Sequence, residues 1–477
     1  MTALAIKNLS VMAGAPGGIS ALRRMILDLA LSGRLTANAE GPRGGGNELP
    51  TGWQATTVGS IAECLDRLRR PITKQDRRAG SIPYYGASGI VDYVADHIFD
   101  EPLVLVGEDG AKWGAGEATA FRIEGRAWVN NHAHVLRPNR ELVLDRFLEL
   151  SLVAQDLSPF ITGMTVPKLN QARLNLIPIM LPPISEQHRI VAKVDELMAL
   201  CDRLEAEQAD AEAAHAKLVE ALLASLTQAR DAADFRTSWQ QLAEHFHTLF
   251  TTEASVDALK QAVMQLGVEG RLCAGAARST WRLQTINEFC TVQGGIQKTP
   301  LRAPVKQHFP YLRVANVQRG RIDIAQLERY ELASDELQRW RLNAGDLLIV
   351  EGNGSESEIG RCAIWHGEVD DCVYQNHLMR VRPTGDDAVE YLALFLNSPV
   401  GTAHMRRLAI TTSGLFNLSV GKIRSIPVEL PPPEEQHRIV AKVGDLLSLC
   451  DQLKQNLATA RRNNEHLSSV LVEQSVA

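Results

Sequence analysis

The chain has 477 residues, of which 45 % are hydrophobic and 22 % charged, and this length is typical of about three globular domains. No apolar run approaches the roughly 20 residues of a membrane span, and Met1–Ser10 lacks a charged segment followed by an apolar core, so we expect neither a membrane protein nor a signal peptide. Seven scattered cysteines disfavour a disulfide framework and indicate a cytoplasmic location, while a net charge of -6 excludes a uniformly basic nucleic-acid coat but permits a local basic groove.

The first predicted helix has a second copy later in the chain. Ile19–Leu35 (ISALRRMILDLALSGRL) and Val256–Leu272 (VDALKQAVMQLGVEGRL) place apolar residues at steps of three and four, which predicts one buried helix face in each. Both segments end in Gly-Arg-Leu. We therefore expect Gly33 and Gly270 to stop the two helices in the left-handed conformation.

A long variable stretch follows each short helix, at residues 50–180 and 281–429. Trp53 opens the first and Trp281 the second. Short apolar runs at Leu103–Val106 and Leu347–Val350, bounded by Gly and Pro turns, predict buried strands in two mixed α/β domains. Each stretch also contains an Asn-His pair before an apparent strand that ends in Arg-Pro.

A longer helix is predicted after each variable stretch. Leu181–Leu204 (LPPISEQHRIVAKVDELMALCDRL) and Leu430–Leu453 (LPPPEEQHRIVAKVGDLLSLCDQL) share QHRIVAKV, and their prolines and acidic residues are typical of helix starts. Apolar residues alternate at steps of four and three, which is a coiled-coil heptad. The predicted seams are Ile190, Val194, Leu197, Cys201, Leu204, Gln208, Ala211, His215, Leu218 and Leu222, then Ile439, Val443, Leu446, Cys450, Leu453, Leu457, Ala460, Asn464, Leu467 and Leu471.

Two such helices, packed antiparallel with Gln208, His215 and Asn464 fixing the register, would form a rod. About 40 residues give a length of roughly 60 Å, which exceeds one DNA turn of about 34–36 Å. A spacer is therefore our interpretation, and an ordinary helical hairpin that packs a core is the alternative.

The order of short helix, variable domain and long helix thus occurs twice. The sequence predicts an α+β fold with two mixed α/β variable domains separated by long antiparallel coiled-coil helices in a pseudo-twofold, circularly repeated arrangement. The predicted boundaries are 1–49 for an N-terminal helical region, 50–180 and 281–429 for the domains, 181–280 for the central spacer and 430–477 for a C-terminal helical region. Residues 229–252 have no clear counterpart, and their role is left open.

Neither variable domain is basic overall, so a nucleic-acid surface would require charges to segregate. Arg and Lys suit guanine edges, Asn and Gln suit adenine edges, and hydroxyl groups suit phosphates. The alternative for each candidate is a surface, turn or structural residue. The candidate DNA-binding residues are Arg69, Arg70, Lys74, Tyr85, Ser88, Lys112, Asn131 and His132 in the first domain, and Lys298, Arg302, Arg313, Asn316, Asn353, Ser355, Asn376, His377, Thr412 and Ser413 in the second.

The identical segment QHRIVAKV also offers a candidate partner surface, because one patch occurs twice while the domains around it differ. Two copies of one partner would explain this, and solvated charges are the alternative. The residues are Gln187, His188, Arg189, Lys193, Gln436, His437, Arg438 and Lys442.

Motifs of several catalytic classes are missing from the sequence. There is no GxxxxGK[ST] loop, no Asn/Asp-Pro-Pro-Tyr/Phe stretch of an amino-methyltransferase and no clear nuclease signature. The pairs His132 with His134 and His245 with His247 suggest a metal site, but neither pair has further ligands at zinc spacing. Cys201 and Cys450 lie at equivalent seam positions, so packing explains them better than nucleophilic catalysis. We expect no catalytic residue and no metal in this chain.

The repeated segments resemble those of a known family. LPPxxEQHRIVAKVDEL-type sequences after each variable domain, with LRRMILDLALSGRL and LKQAVMQLGVEGRL, resemble the specificity subunits of type I restriction–modification systems. Ile82–Gly89 (IPYYGASG) and Tyr311–Val317 (YLRVANV) are similar to segments of that family's target-recognition domains.

The resemblance implies two domains that each read half of a bipartite double-stranded DNA site. It implies two modification subunits that use S-adenosylmethionine to methylate adenine N6, and restriction subunits that use ATP and magnesium. Two alternative functions are a coiled-coil protein-interaction adaptor without DNA binding and a metal hydrolase built on His132, His134, His245 and His247.

Overall fold

The computed structural model describes residues 9–36, 50–163, 165–273, 278–297, 299–353, 358–385, 389–412 and 415–476. The chain divides into two compact units, Met1–Glu212 with Thr459–Ala477 and Ala213–Ala458. Across those ranges, no helix combines the length and the apolar character that a membrane crossing needs.

The first unit combines helices with small β-sheets. Its sheets have the strand orders β1-β10, β2-β9-β6-β7 and β4-β3-β8-β5. The helices are α1 (Leu9–Gly14), α2 (Gly18–Leu31), α3 (Val58–Ile61), α4 (Asp145–Ala154), α5 (Gln171–Leu174) and the first long helix, α6 (Ile184–Thr227). The strands are β1 (Gln54–Thr57), β2 (Ala62–Cys64), β3 (Ala79–Gly86), β4 (Gly89–Val94), β5 (Phe99–Asp100), β6 (Leu103–Gly107), β7 (Ala120–Ile123), β8 (Arg126–Val129), β9 (Ala133–Pro138) and β10 (Pro178–Leu181).

Strand β6 lies at the centre of the first unit and is buried on both faces, as its apolar run predicts. Side chains alternate along a strand, so neighbouring residues enter opposite cores. Val104 and Val106 pack with α2, α4 and α6, while Leu103 and Leu105 pack in a second core with residues of β8 and β9.

The second unit has a comparable set of sheets, with strand orders β11-β24, β12-β21-β17-β19, β16-β13-β20, β14-β15 and β18-β23-β22. The helices are α7 (Ala232–Glu244), α8 (Phe246–Leu249), α9 (Glu253–Val268), α10 (Ile286–Phe289), α11 (Ser334–Trp340), α12 (Val389–Asn397), α13 (Pro399–Leu408), α14 (Val420–Arg424) and the second long helix, α15 (Pro433–Val476). The strands are β11 (Arg282–Thr285), β12 (Cys290–Gly294), β13 (His308–Leu312), β14 (Val317–Gln318), β15 (Arg321–Ile322), β16 (Glu328–Glu331), β17 (Asp346–Val350), β18 (Gly352–Asn353), β19 (Cys362–Trp365), β20 (Val373–Tyr374), β21 (Leu378–Pro383), β22 (Ile410–Thr412), β23 (Leu415–Asn417) and β24 (Pro427–Leu430).

The strand pairings of the two units correspond one to one around the predicted buried strands. In the first unit β6 pairs antiparallel with β7 and β9, and in the second unit β17 pairs antiparallel with β19 and β21. A parallel pair joins Tyr84 to Trp128 in one unit and Tyr311 to Val373 in the other. The predicted α+β fold with two mixed domains is therefore confirmed, as are both buried strands.

The Gly-Arg-Leu ends of the short helices behave as predicted. Gly33 and Gly270 have φ values of 73° and 68°, in the left-handed region that favours glycine. A Cβ on Gly33 would lie 3.2 Å from Trp53 Cζ2, and a Cβ on Gly270 would lie 2.8 Å from Trp281 Cζ2. The tryptophan that opens each variable domain thus packs against the glycine that ends the preceding helix.

The long helices begin at the predicted prolines. α6 starts directly after Pro183, and α15 starts on Pro433, which accords with the preference of proline for the first helical turn. Each helix has 44 residues, or about 66 Å of length. The first unit contains the start of α6 and the end of α15, and the second contains the end of α6 and the start of α15.

The predicted coiled-coil seam is right for the first turns and wrong farther along. Ile190, Val194, Leu197 and Cys201 are buried, but Leu218 is 53 % exposed and its neighbour Val219 is buried. A straight helix with 3.6 residues per turn drifts by about 20° per heptad, so four heptads displace the seam by nearly one residue.

The second long helix shows the same displacement of the seam. Ile439, Val443 and Cys450 are buried, whereas Leu467 is exposed and Ser468 is buried in its place. Gln208 and Asn464 are exposed, so the prediction that they fix the register of a seam is wrong. His215 is half-buried, and its Nε2 lies 3.2 Å from the Thr248 carbonyl oxygen.

Each short helix carries an ion pair to a long helix within its own unit. In the first unit Arg23 of α2 lies 2.6 Å from Asp202 and 2.7 Å from Glu205 of α6. In the second unit Lys260 of α9 lies 2.7 Å from Asp451 of α15. A further pair in that unit, with reversed charges, joins Asp257 of α9 to Lys454 of α15 at 2.9 Å.

Residues 229–252, whose role was left open, form α7 and α8 and the loops around them. Leu242, Leu249 and Phe250 are buried in one core with the end of α6, with α9 and with the start of α15. Part of this segment therefore completes the helical core of the second unit.

Candidate nucleic-acid interface

A turn at the end of the central sheet brings several predicted residues of the first domain together. The Asn-His pair directly precedes β9, and the strand beside it, β6, is followed by Glu108 and Asp109. The Glu108 backbone N–H donates to the His132 carbonyl oxygen at 2.8 Å, and the Leu169 N–H donates to the Glu108 carbonyl oxygen at 2.8 Å. The turn is thus held by its backbone.

The His132 side chain is held by a carboxylate. Its Nδ1 atom lies 2.5 Å from Asp109 Oδ1, and its side chain is 51 % exposed. A carboxylate oxygen accepts, so Nδ1 donates and Nε2 remains as the ring's second polar atom. This exposed, oriented imidazole can contact a nucleic-acid phosphate or base.

A buried charge network lies beneath this turn. Arg69 contacts Glu108 and lies 3.0 Å from Asp66, while Lys168 lies 2.8 Å from Glu108. His134 is 1 % exposed, with Nδ1 at 2.5 Å from Asp66 and Nε2 at 2.7 Å from the Leu169 carbonyl oxygen. Burial acts to raise the pKa of Asp66, but the hydrogen bond and charge of His134, the hydrogen bond from the Val135 N–H and the charge of Arg69 outweigh it, so that the pKa is lowered.

Among the described residues, Cys64, Asp66 and His134 form a group whose metal-ligand atoms lie within 4.8 Å of one another. The nearby Arg69 already neutralises Asp66. Burial raises the pKa of the Cys64 thiol to about 12, which disfavours a thiolate ligand. We explain this group as a hydrogen-bonded network. It contains His134 but neither His245 nor His247 of the metal-hydrolase hypothesis.

The second domain has the same turn in the same place. The Glu351 backbone N–H, directly after β17, donates to the His377 carbonyl oxygen at 2.9 Å, and the Leu418 N–H donates to the Glu351 carbonyl oxygen at 2.7 Å. His377 Nδ1 lies 3.0 Å from Glu351 Oε2, and the side chain is 57 % exposed. Asn376 is half-buried, with Nδ2 at 3.5 Å from His377 Nε2.

The other candidates of the first domain have different surroundings. Arg70, Lys74, Ser88, Lys112 and Asn131 are exposed, and Tyr85 is half-buried with its ring 6.0 Å from that of Phe121. The prediction is wrong for Arg69. Its guanidinium is bound to Asp66, to Glu108 and to the Ala133 carbonyl oxygen at 2.8 Å, so this side chain holds the fold rather than facing DNA.

In the second domain, Asn316 is also wrongly predicted, because it is 4 % exposed and its side chain bonds the Arg313 and Asp323 backbones. Arg302 and Arg313 are half-buried and paired with Glu336 and Glu328 at 2.8 and 3.0 Å. Three further candidates, Lys298, Ser355 and Ser413, lie outside the described residues. Asn353 and Thr412 are described by their backbones alone.

The candidate partner surface on the long helices divides into two groups. The prediction is wrong for Gln187 and Gln436, which are fully buried; Gln187 Nε2 donates to the Leu142 and Pro182 carbonyl oxygens, and Gln436 Nε2 donates to the Pro431 carbonyl oxygen. These amides anchor the helix starts. The remaining six residues are His188, Arg189, Lys193, His437, Arg438 and Lys442, of which Lys193 is half-exposed and the others are exposed.

The acidic residues of the two turns were not among the predicted site residues. Asp109 follows β6 by two residues, and Glu351 follows β17 directly. A carboxylate placed just beyond a buried apolar run was the available signal. Carboxylates are not among the cations, amides and hydroxyl groups that contact the DNA backbone directly, so the DNA-binding candidates do not include them.

Comparisons with known proteins agree with the resemblance. A family model described as the type I restriction modification DNA specificity domain matches residues 50–213 and 278–460. The EcoEI specificity subunit of Escherichia coli is 25 % identical over 89 % of this chain and 83 % of that protein. The EcoKI specificity subunit of E. coli strain K12 is 26 % identical over 77 % of this chain and 72 % of that protein.

A solved structure from work on complex assembly and conformational transition of the type I R-M system has a similar fold. Its TM-score is 0.53 at 16 % sequence identity, over 90 % of this chain and 99 % of that one. The family match spans more than half of the chain and falls on both variable domains. The chain therefore belongs to the type I restriction–modification DNA specificity family.

Proposed function

We propose that this chain reads the DNA sequence for a type I restriction–modification complex, with each domain recognising one half of a bipartite target. The observation that carries the proposal is the duplicated turn: both central sheets end in an exposed, carboxylate-bound histidine at the same position. Two similar reading domains in one chain suit a target with two separated half-sites.

In this proposal the long helices set the gap between the half-sites. Each is about 66 Å long, which exceeds one DNA turn of about 34–36 Å. Residues 205–214 of α6 and 459–467 of α15 are exposed along their whole length. Such stretches are suited to spanning a distance rather than filling a core.

The exposed residues of the repeated QHRIVAKV segment would bind the partners. His188, Arg189 and Lys193 recur as His437, Arg438 and Lys442, so the chain offers one patch twice and suits two modification subunits. Those subunits would methylate adenine N6 with S-adenosylmethionine, and restriction subunits would supply ATP- and magnesium-dependent chemistry. This chain would contribute recognition and no catalytic residue, in the cytoplasm.

The first test is a long-read methylome of cells that express the chain with its neighbouring methyltransferase, compared with cells that lack only this chain. The expected result is a two-part methyladenine motif that disappears with the chain. A chimera that receives a foreign domain in place of residues 281–429 should change one half of the motif only. A chimera with an unchanged motif would refute the division of labour.

The partner surface has a separate test. Arg189→Glu should weaken co-purification of the methyltransferase subunits, whereas Arg203→Glu, an exposed control on the same helix, should not. The protein-interaction adaptor is distinguished by duplex binding, because a DNA reader must lose affinity steeply as salt rises and an adaptor must show no such dependence.

A further inference from the structure

The histidine turns of the two domains share more than their position. In each, the residue before the histidine is Asn, the histidine carbonyl oxygen accepts a backbone hydrogen bond from the neighbouring strand end, and Nδ1 bonds a carboxylate. The residues on either side differ, with Asn130 and Ala133 in one domain and Gln375 and Leu378 in the other.

This inference rests on the proposed function, in which the two domains read different half-sites. Groups that read bases must then differ between the domains, because each base pair presents its own pattern of donors and acceptors. The sugar–phosphate backbone is common to both half-sites, so a side chain that both domains share is suited to contacting this backbone.

We propose that His132 and His377 each contact a DNA phosphate of their own half-site, independently of sequence, and that Asp109 and Glu351 are positioning residues that orient the two rings. The histidines fix where each domain sits on the duplex, and other side chains read the bases.

The geometry suits a phosphate contact. The carboxylates of Asp109 and Glu351 are 19 % and 25 % exposed, against 51 % and 57 % for the histidine side chains, so each ring is more accessible than the acid that holds it. With Nδ1 engaged, Nε2 is the remaining polar atom of each ring, and in the protonated ring its N–H is a directed donor to an anion. In the second domain the Asn376 amide nitrogen, 3.5 Å from His377 Nε2, places a second N–H donor beside it. In the first domain the half-exposed Lys168, 3.9 Å from Asp109, adds a cation beside the turn.

A purely structural role does not account for the two side chains. The backbone hydrogen bonds from Glu108 to His132 and from Glu351 to His377 already close the turns. Both rings are more than half exposed, and they fill no core. Removing either ring should therefore leave the fold intact, which makes a binding assay of the variants informative.

The test measures the affinity of the full chain, purified with the methyltransferase subunits that it assembles with, for two duplexes. One carries the target found by the methylome, and the other carries the same bases in scrambled order. His132→Ala and His377→Ala should each weaken binding to both duplexes by the same factor, roughly 10-fold, and leave their affinity ratio and the methylated motif unchanged. The slope of log affinity against log salt should fall by up to about one per histidine.

Matched controls are His97→Ala and His366→Ala, which remove exposed histidines elsewhere in the two domains and should change neither affinity nor slope. Asp109→Ala should weaken binding to both duplexes alike, and Asp109→Asn should restore most of the loss because its amide oxygen still accepts from Nδ1–H.

Three outcomes are distinguishable. If the wild-type complex binds no duplex in a salt-dependent way, the proposed function fails, and this inference fails with it. If the wild type binds but the histidine variants bind equally well, this inference alone is wrong. If the variants lose affinity for the target duplex only, the histidines read bases, and the phosphate assignment is refuted.

Discussion

If the long helices set the gap of the target, shortening both by two turns should shorten that gap by a predictable amount. The perturbation removes 206–212 from α6 and 460–466 from α15, which lie within the exposed stretches. Seven residues shorten a helix by about 10 Å and rotate its remainder by only about 20°, so the buried faces on either side stay nearly aligned. At about 3.4 Å per base pair, the gap should lose about three base pairs.

The assay is the methylome of cells that express the shortened chain. Both halves of the motif should persist, with fewer unspecified bases between them. The matched control replaces the same seven-residue segments with unrelated polar helix-forming sequence of equal length, and it should keep the original gap. A shortened chain that methylates at the original gap would refute the spacer role of these helices.

Three further predictions concern stability and the partner surface. Gly270→Ala should lower the free energy of unfolding by at least about 1–2 kcal/mol in a urea titration, because alanine is strained at φ 68° and its Cβ would meet Trp281. The control Gly444→Ala, at an open helical position, should be neutral or stabilising. Equal effects of the two substitutions would contradict this account. Gln187→Ala should lower the unfolding free energy by about 1–3 kcal/mol because it leaves the Leu144 N–H without its acceptor. Its neighbour on the same helix serves as the control: Arg189→Ala should leave the melting temperature unchanged and weaken only partner binding. The folded state lowers the pKa of Asp66, so the ionised carboxylate stabilises the fold fully above the unfolded pKa near 3.8, and this contribution is lost as the pH falls through the folded pKa. Asp66→Asn should therefore flatten the acid side of a plot of unfolding free energy against pH. An unaltered acid side would refute the assignment.

Local patterns predicted the parts of the fold that depend on neighbouring residues. The runs Leu103–Val106 and Leu347–Val350 became central strands, and Gly33 and Gly270 ended the short helices. In each case the deciding residues lie within a few positions of one another. The repetition of the segments then indicated that both halves share one architecture.

The errors arose where distant residues decide the outcome. Arg69 was predicted to face DNA, but its partner Glu108 is 39 residues away in the sequence and becomes adjacent only through the sheet. Gln187 was predicted to lie on a partner surface because it belongs to the repeated QHRIVAKV segment. It stands three residues before Ile190, on the buried face of the helix, where the chain folds back and supplies the backbone groups of Leu142 and Leu144. Leu218 was misplaced because the heptad pattern was extended over a helix that keeps 3.6 residues per turn.

The ion pairs between short and long helices matter for the folding of a chain with an internal duplication. Because the two halves are similar, a short helix could dock on the wrong long helix, within one chain or between chains that are folding together. If α2 docked on α15, Arg23 would meet Lys454, which stands where α6 has Glu205; if α9 docked on α6, Asp257 would meet Glu205.

Each exchange thus brings one pair of like charges together, while it keeps one favourable pair, Arg23 with Asp451 or Lys260 with Asp202. Contacts of this kind are each worth only tenths of a kcal/mol at an exposed site, but they disfavour both exchanges at once. Divergence at a few charged positions therefore adds a preference of each short helix for its own long helix to the preference that its apolar packing already gives.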